Sequence, residues 1–379
     1  MLQAFSLYNL SMVIYIRVSF LQKLIDKYFD MGFLLTPQAI EFLSKTHDEF
    51  DIASKDFIID ANNFIVQDTV KIIKNFHVKK DEVTTEDFVK FYTSKYEKMK
   101  NIIVSRIPKS FISLNKTDAM RNEVFIIGIV REIKADGEKK ILDLEDMTMN
   151  IPVIFETPVE GVEVDDVIAV RAISGGKVLF GKDVMFPDIP IRQPATGRGK
   201  AIFVSDLHLN EAPENDIERF FSWLERSEIK NIFIAGDVGD KKAFESFAGR
   251  NHGKNFFIIP GESDGADYPQ LPLQFTEKNI TSLSNPSMIE INGVKVLMVH
   301  RAEQTMLKKR YIGKSSAIMP DDYLVMDDVP DIVHFGHTHV PQITNYKSVT
   351  MVNSGSVMSE FKPVIVDFSS RSAEFARVE

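Results

Sequence analysis

Five short apolar runs in the C-terminal half of the 379-residue chain constrain its fold more than any other feature. They cover residues 201–204, 231–235, 256–259, 294–299 and 332–335. Each is rich in β-branched or aromatic residues and too short for a core helix, so each reads as a strand buried on both faces. A helical pattern around 220–224 lies between the first two, and the alternation predicts α/β architecture. The runs end alike, in Ser205-Asp206-Leu207-His208, Gly236-Asp237-Val238-Gly239-Asp240, Gly261-Glu262-Ser263-Asp264, His300, and Gly336-His337-Thr338-His339. Ligand sites of open α/β sheets lie beyond the carboxyl ends of the strands, so these five clusters are expected to converge.

The chain has no cysteine, which excludes disulfides and thiolate metal ligands and suits a reducing, cytoplasmic setting. Carboxylates and imidazoles converging without thiolates suit two divalent ions that prefer oxygen and nitrogen, with Mn²⁺ a natural candidate. Two such ions about 3.5–4 Å apart can clamp a phosphodiester and activate water. Asp237, directly after its glycine, is the best-placed carboxylate to lie between them. Taken singly the motifs are weak, because aspartate caps turns and isolated histidines are often structural. The ordered set of five carries the reading.

The rest of the chain reads as a multidomain α+β protein. Residues 1–100 form a small helical N-terminal module, with helices from about 20, from Thr36-Pro37, and over 84–99. Residues 101–118 read as a linker. Residues 119–187 hold five short β-branched runs, at 124–133, 140–146, 150–155, 167–173 and 177–180, separated by turns such as Asp136-Gly137. They suit an OB-like β-barrel, with an antiparallel sandwich as the alternative. Residues 188–199 are a second linker, before the α/β domain at 200–379. The apolar first twenty residues are interrupted by Gln3, Asn9, Ser11 and Arg17, so neither a membrane span nor a signal peptide is expected, and Met12 or Met31 could be the start. The formal net charge is −9, unlike a protein whose main task is to grip nucleic acid.

The motif order Asp-x-His, Gly-Asp, Gly-x-x-Asp, His, Gly-His-x-His resembles that of the calcineurin-like metallophosphoesterases. Asn353-Ser354-Gly355-Ser356 is similar to that family's late Asn-x-Gly-Ser turn. The resemblance implies that Asp206, His208, Asp237 and His339 hold one metal ion, and that Asp237, Glu262, His300 and His337 hold the other. With the helical module and barrel ahead of this domain, the chain resembles the small subunits of archaeal family D DNA polymerases. The stretches Met306-Leu307-Lys308-Lys309-Arg310-Tyr311 and Asp331-Ile332-Val333-His334 carry that finer likeness. It implies a 3′–5′ exonuclease serving a large catalytic polymerase subunit, with DNA bound mainly through the complex.

One departure stands out. Where the family has Gly-Asn-His-Asp, this chain has Glu262 and Ser263, and a serine hydroxyl cannot act as a general acid near neutral pH. Asp237, His300 and Ser263 are therefore the candidate catalytic positions, with a non-catalytic scaffold subunit or a stand-alone phosphodiesterase as alternatives. Two weaker features remain. Gln22, Ile25, Tyr28 and Phe29 match a sliding-clamp docking pattern, although the same residues form the apolar face of a helix. Lys308, Lys309 and Arg310 could touch a phosphate backbone or form a solvated basic run.

Overall fold

The structure is a computed structural model that describes residues 21–46, 50–52, 56–60, 64–65, 68–77, 82–106, 111–119, 122–265, 267–315, 318–319 and 321–378. The chain divides into two compact units, Met1–Asp68 and Thr69–Glu379. Met12 and the apolar start lie outside the described residues. None of the described helices is long and apolar enough to cross a membrane.

In the first unit, residues 21–30 are helical, and a second helix spans Pro37–Thr46. The Thr36 hydroxyl caps the second, accepting from the Ala39 N–H at 3.2 Å, while it donates to Asp60 at 2.8 Å. The unit is not purely helical. Leu34–Leu35 pairs in parallel with Ile58–Ile59, and Asp51–Ile52 pairs antiparallel with Phe64–Ile65. Leu24, Tyr28, Ala39, Leu43, Phe50 and Ile59 form its core. This corrects the clamp-docking pattern, because Tyr28 is buried, with its hydroxyl bonded to the Phe50 backbone, while Phe29 is 65% exposed. One helix face cannot offer both rings to a partner.

In the second unit, strands Glu123–Asp136, Lys139–Glu145, Asn150–Phe155, Val167–Ser174 and Leu179–Met185 close a barrel. Around it the strands run first, second, third, fifth, fourth, and the third and fifth are parallel. Closure rules out the sandwich alternative. Inward residues such as Ile126, Val130, Leu142, Val153, Phe155, Ile168 and Leu179 fill the interior at alternating positions.

Helix Thr85–Val104 opens with a capping box between Thr84 and Asp87. It packs Tyr96, Met99 and Ile103 onto Ile127, Ile129 and Ala169 on the outside of the barrel. The expected linker at 101–118 therefore begins as helix, because the burial of Ile103 extends it, and Leu114–Ala119 forms a 3-10 turn. The segment 188–199 has no regular element, but buried Ile189 and an Arg192–Asp331 pair at 2.7 Å pin it down.

Two six-stranded sheets face each other in the C-terminal domain. The first runs Ile280–Ser282, Asn255–Ile259, Asn231–Ala235, Lys200–Val204, Val364–Asp367, Ala373–Phe375, with its first four strands parallel. The second runs Pro341–Tyr346, Val349–Ser354, Ile332–His334, Val294–Met298, Ser287–Ile291, Val70–Lys74. That edge strand corrects the N-terminal assignment, since 70–74 reads as part of a helical module yet pairs antiparallel with Ser287–Ile291. The local pattern could not reveal a partner more than 200 positions away.

Phe203, Phe233 and Phe257 stack between the sheets at 4.8 and 4.9 Å. Alternate residues Ile202, Ile234, Phe256 and Ile258 face helices Glu214–Arg226 and Lys241–Arg250, where Phe220, Leu224, Phe244 and Phe247 cover them. Trp223 and Phe221 pack at the edge of the same cluster.

His334 sits in this interior, edge-on to Phe203 at 5.1 Å, and complete burial holds its pKa down at about 3. In the unfolded chain the same ring takes a proton below about pH 6.5. Between those values the unfolded state binds more protons, so stability falls as pH drops, at up to about 1.4 kcal/mol per pH unit. His334→Leu is expected to flatten the fall in unfolding free energy between pH 6 and 4, measured by denaturant titration. An unchanged slope would mean that His334 does not titrate on unfolding.

Candidate metal centre

The five sequence clusters meet beyond the carboxyl ends of the central strands of both sheets. The backbone turns sharply there. Asp206, His208, Asp237, His337 and His339 all have φ between 43° and 67°, the left-handed region that residues with a β-carbon avoid. Bonds between the loops hold them in place. The Asp206 N–H donates to the Gly236 carbonyl at 3.1 Å, the His208 N–H to the Asp237 carbonyl at 2.9 Å, and the Gly336 N–H to the His300 carbonyl at 2.9 Å. The late turn adds support, with Asn353 Nδ2 donating to the Gly336 carbonyl at 3.0 Å and Ser356 Oγ to the Asp206 carbonyl at 3.0 Å. A β-carbon on Gly236 would lie 2.5 Å from His300 Nδ1, and one on Gly261 would lie 2.1 Å from Asp237 Oδ1. Only glycine lets these loops come this close.

Two clusters result, Asp206–His208–His339 and Asp206–Asp237–His300, and the ligand atoms within each lie within 4.8 Å of one another. Asp206 Oδ1 is 3.5 Å from His339 Nε2 and 4.0 Å from His300 Nε2. Asp237 Oδ2 is 3.3 Å from His300 Nε2 and 3.8 Å from His208 Nε2. Asp237 does lie between histidines of the two clusters, but so does Asp206, which belongs to both.

His300 tests whether this set suits a metal. Its Nδ1–H donates to the Ala235 carbonyl at 2.8 Å, which turns Nε2 toward the carboxylates. Nε2 is buried, lies 3.3 Å from Asp237 Oδ2, and makes no well-formed hydrogen bond among the described residues. A buried imidazole nitrogen aimed at two carboxylates, with two further imidazoles beside them, is the donor set of a divalent ion preferring nitrogen and oxygen. The electrostatics agree. Burial alone would lower the His300 pKa, but contact with Asp237 and the charges of Asp237 and Asp206 outweigh it and raise it to about 9. Burial would raise Asp237, yet His300 and Ser263 hold it well below the usual carboxylate range. Burial dominates at Asp206 and raises it. The pocket therefore gathers negative charge that asks for a cation.

The remaining candidates are placed differently. Ser263, a candidate catalytic position, donates through Oγ to Asp237 Oδ1 at 2.8 Å and through its N–H to the same oxygen at 2.9 Å. It positions Asp237 and is not turned outward as a proton donor. Glu262 and His337 pair at the rim, 3.4 Å apart, and belong to neither cluster. Glu262 is a methylene longer than asparagine, and it reaches toward His337 and toward Arg301 Nη1 at 3.8 Å.

Several participants gave no sequence signal. Asn285 accepts from the His300 N–H at 3.1 Å, and Gln270 donates to the Gly261 carbonyl at 2.8 Å. Neither stands beside a recognisable motif. Arg301 directly follows His300, and that adjacency alone could have pointed to it.

Two of the three basic residues at 308–310 are engaged within the protein. Lys308 lies 4.4 Å from the Phe186 ring, and Lys309 pairs with Glu163 and Asp166 at 3.1 and 2.9 Å. Arg310 is buried and donates to the Met326 and Asp327 carbonyls. Lys309 and Arg310 are thus engaged within the protein, while Lys308 stays half-exposed.

Residues 200–369 match the calcineurin-like phosphoesterase superfamily domain. The chain is also similar over most of its length to proteins named DNA polymerase II small subunit. That of Archaeoglobus fulgidus is 28% identical, over 76% of this chain and 74% of its own. That of Methanothermobacter thermautotrophicus is 24% identical, over 72% and 73%. That of Thermoplasma acidophilum is 25% identical, over 89% and 86%.

Proposed function

We propose that this chain, a relative of the archaeal DNA polymerase II small subunits with a calcineurin-like phosphoesterase domain at residues 200–369, is a small subunit whose two-metal site removes nucleotides from the 3′ end of DNA. The observation that carries the reading is the pair of clusters sharing Asp206. Asp206, His208 and His339 would hold one ion, and Asp206, Asp237 and His300 the other, with Mn²⁺ the expected metal. Bound ions of this kind polarise a phosphoryl oxygen and provide a nucleophile at neutral pH. The chain's own part is to keep the donors in place. Ser263 pins Asp237 Oδ1, leaving Oδ2 toward the histidines. Ala235 fixes the His300 tautomer. Arg301 offers a cation at the rim.

We read the barrel, by its strand order, as OB-type, and assign it to the interface with a large polymerising subunit. That subunit would supply most of the grip on DNA, because this chain carries a net charge of −9 and Lys309 and Arg310 of its basic run are engaged internally. Glu262 and Ser263 favour a second reading, a scaffold subunit that keeps the fold without the chemistry. The full chain, alone and with its large subunit, is expected to shorten a 5′-labelled single strand from the 3′ end in Mn²⁺, giving a ladder of products. Bound metal with no shortening in the complex would select the scaffold.

A further inference from the structure

Two buried amides that belong to no motif, Gln270 and Asn285, are 7% and 3% exposed and are bonded to each other through side chain and main chain. Asn285 Nδ2 donates to Gln270 Oε1 at 2.6 Å, the Gln270 N–H to the Asn285 carbonyl at 2.8 Å, and the Asn285 N–H to the Gln270 carbonyl at 3.1 Å. At one end Asn285 Oδ1 accepts from the His300 N–H at 3.1 Å. At the other, Gln270 Nε2 donates to the Gly261 and Gly265 carbonyls at 2.8 and 2.7 Å. Backbone groups terminate this chain of bonds at both ends and cannot exchange donor for acceptor, so each amide has one allowed orientation. Turning either over would set donor against donor and oxygen against oxygen.

The two ends lead to two residues of a single cluster. The Gly261 and Gly265 carbonyls bracket the turn Glu262–Asp264, and Asp264 Oδ2 closes it by accepting the Gly261 N–H at 2.9 Å. Within that turn Ser263 holds Asp237 Oδ1 through its N–H and its hydroxyl. His300 is held through its own N–H. Asp237 and His300 belong to the Asp206–Asp237–His300 cluster and not to Asp206–His208–His339. Among the described residues the side chains of the pair bond to Gly261, Gly265 and His300, and to neither His208 nor His339. The pair is itself anchored, because neighbouring Ser284 donates its N–H to Asn75 Oδ1 and accepts the Phe76 N–H at its hydroxyl, both at 2.7 Å. Each link is buried, so moving one partner strands a polar group away from water, and the chain keeps its ends in fixed relation.

We propose that Gln270 and Asn285 are a positioning pair that sets Asp237 and His300 as one unit, so that the ion held by these two residues binds tightly only while the amide chain is intact. The inference rests on the two-metal reading above and adds the residues that build one half of the site. Neither amide belongs to a cluster. One acts through the turn that carries Ser263, the other through the backbone of His300.

The test is Mn²⁺ binding to the full chain, followed by calorimetry, for wild type, Gln270→Met, Asn285→Leu and the double variant. Both replacements keep the approximate shape of the side chain and remove the amide. Each single variant is expected to weaken one ion by about 10- to 100-fold, the usual effect of losing an outer partner of a metal ligand, and to keep the other within about threefold of wild type. The double variant should bind no more weakly than the worse single, because cutting one chain twice costs no more than cutting it once. Electron paramagnetic resonance of the variants should show the retained Mn²⁺ alone, without the coupling that two ions sharing Asp206 give in wild type. Wild-type affinity for both ions in Gln270→Met, or effects that multiply in the double variant, would overturn the pairing. Equal loss of both ions in the single variants would show that the amides support the fold at large, and would overturn it too. A wild type that takes up no Mn²⁺ would instead overturn the two-metal reading.

Discussion

Asp206→Asn is expected to remove both divalent ions, whereas wild-type protein should carry close to two. Asp206 is the ligand common to the two clusters and is fully buried, so no exposed carboxylate can replace it from solvent. The amide keeps the shape and can still accept the His337 N–H, which lies 3.1 and 3.2 Å from the two carboxylate oxygens. What it loses is the charge that offsets two cations. Loss of several kcal/mol of electrostatic stabilisation should lower Mn²⁺-dependent hydrolysis about 10³-fold or more. Asp237→Ala should abolish at least one ion, because Oδ2 of that residue faces His300 and His208. Metal content after gel filtration, read by mass spectrometry, checks both. An Asp206→Asn protein that keeps two ions would refute the shared-ligand geometry.

The second large effect concerns the departure at 262–263. Restoring the family pattern with Glu262→Asn and Ser263→His is expected to raise Mn²⁺-dependent excision by about 10- to 10³-fold, within the range of a general acid–base group. The imidazole would stand where it can protonate a leaving oxygen, which the serine hydroxyl, bonded to Asp237, does not do. Asp237 should stay in place, because the backbone N–H of residue 263 still donates to Oδ1 at 2.9 Å. Removing the Glu262 charge also releases Arg301, 3.8 Å away, for phosphate. Appreciable wild-type excision with little gain would show that the proton comes from another group. If wild type and double variant both bind metal, assemble with the large subunit and remain inactive, the scaffold reading replaces the exonuclease.

Much of this site was legible in the sequence. Strands buried on both faces must be continuously apolar, so 201–204, 231–235, 256–259, 294–299 and 332–335 stood out, and the polar residues at their ends had to share one edge of the sheets. The helix from Thr84 announced itself through its cap and period. These are local consequences of backbone geometry, and local pattern suffices for them.

Only the tertiary structure decided the rest. Val70–Lys74 joined the second sheet because an edge strand there completes hydrogen bonds with Ser287–Ile291, a pairing no short window contains. Lys309 and Arg310 of the basic run were taken inward by Asp166 and the Met326 carbonyl, although its composition suggested a surface. Asp206 and Asp237 both came to stand between the histidines because left-handed turns at 206 and 237 set both carboxylates there. Residue type and order show which donors can converge. Ligand sharing depends on ångström distances between loops far apart in sequence, and those distances are fixed only when the two sheets pack.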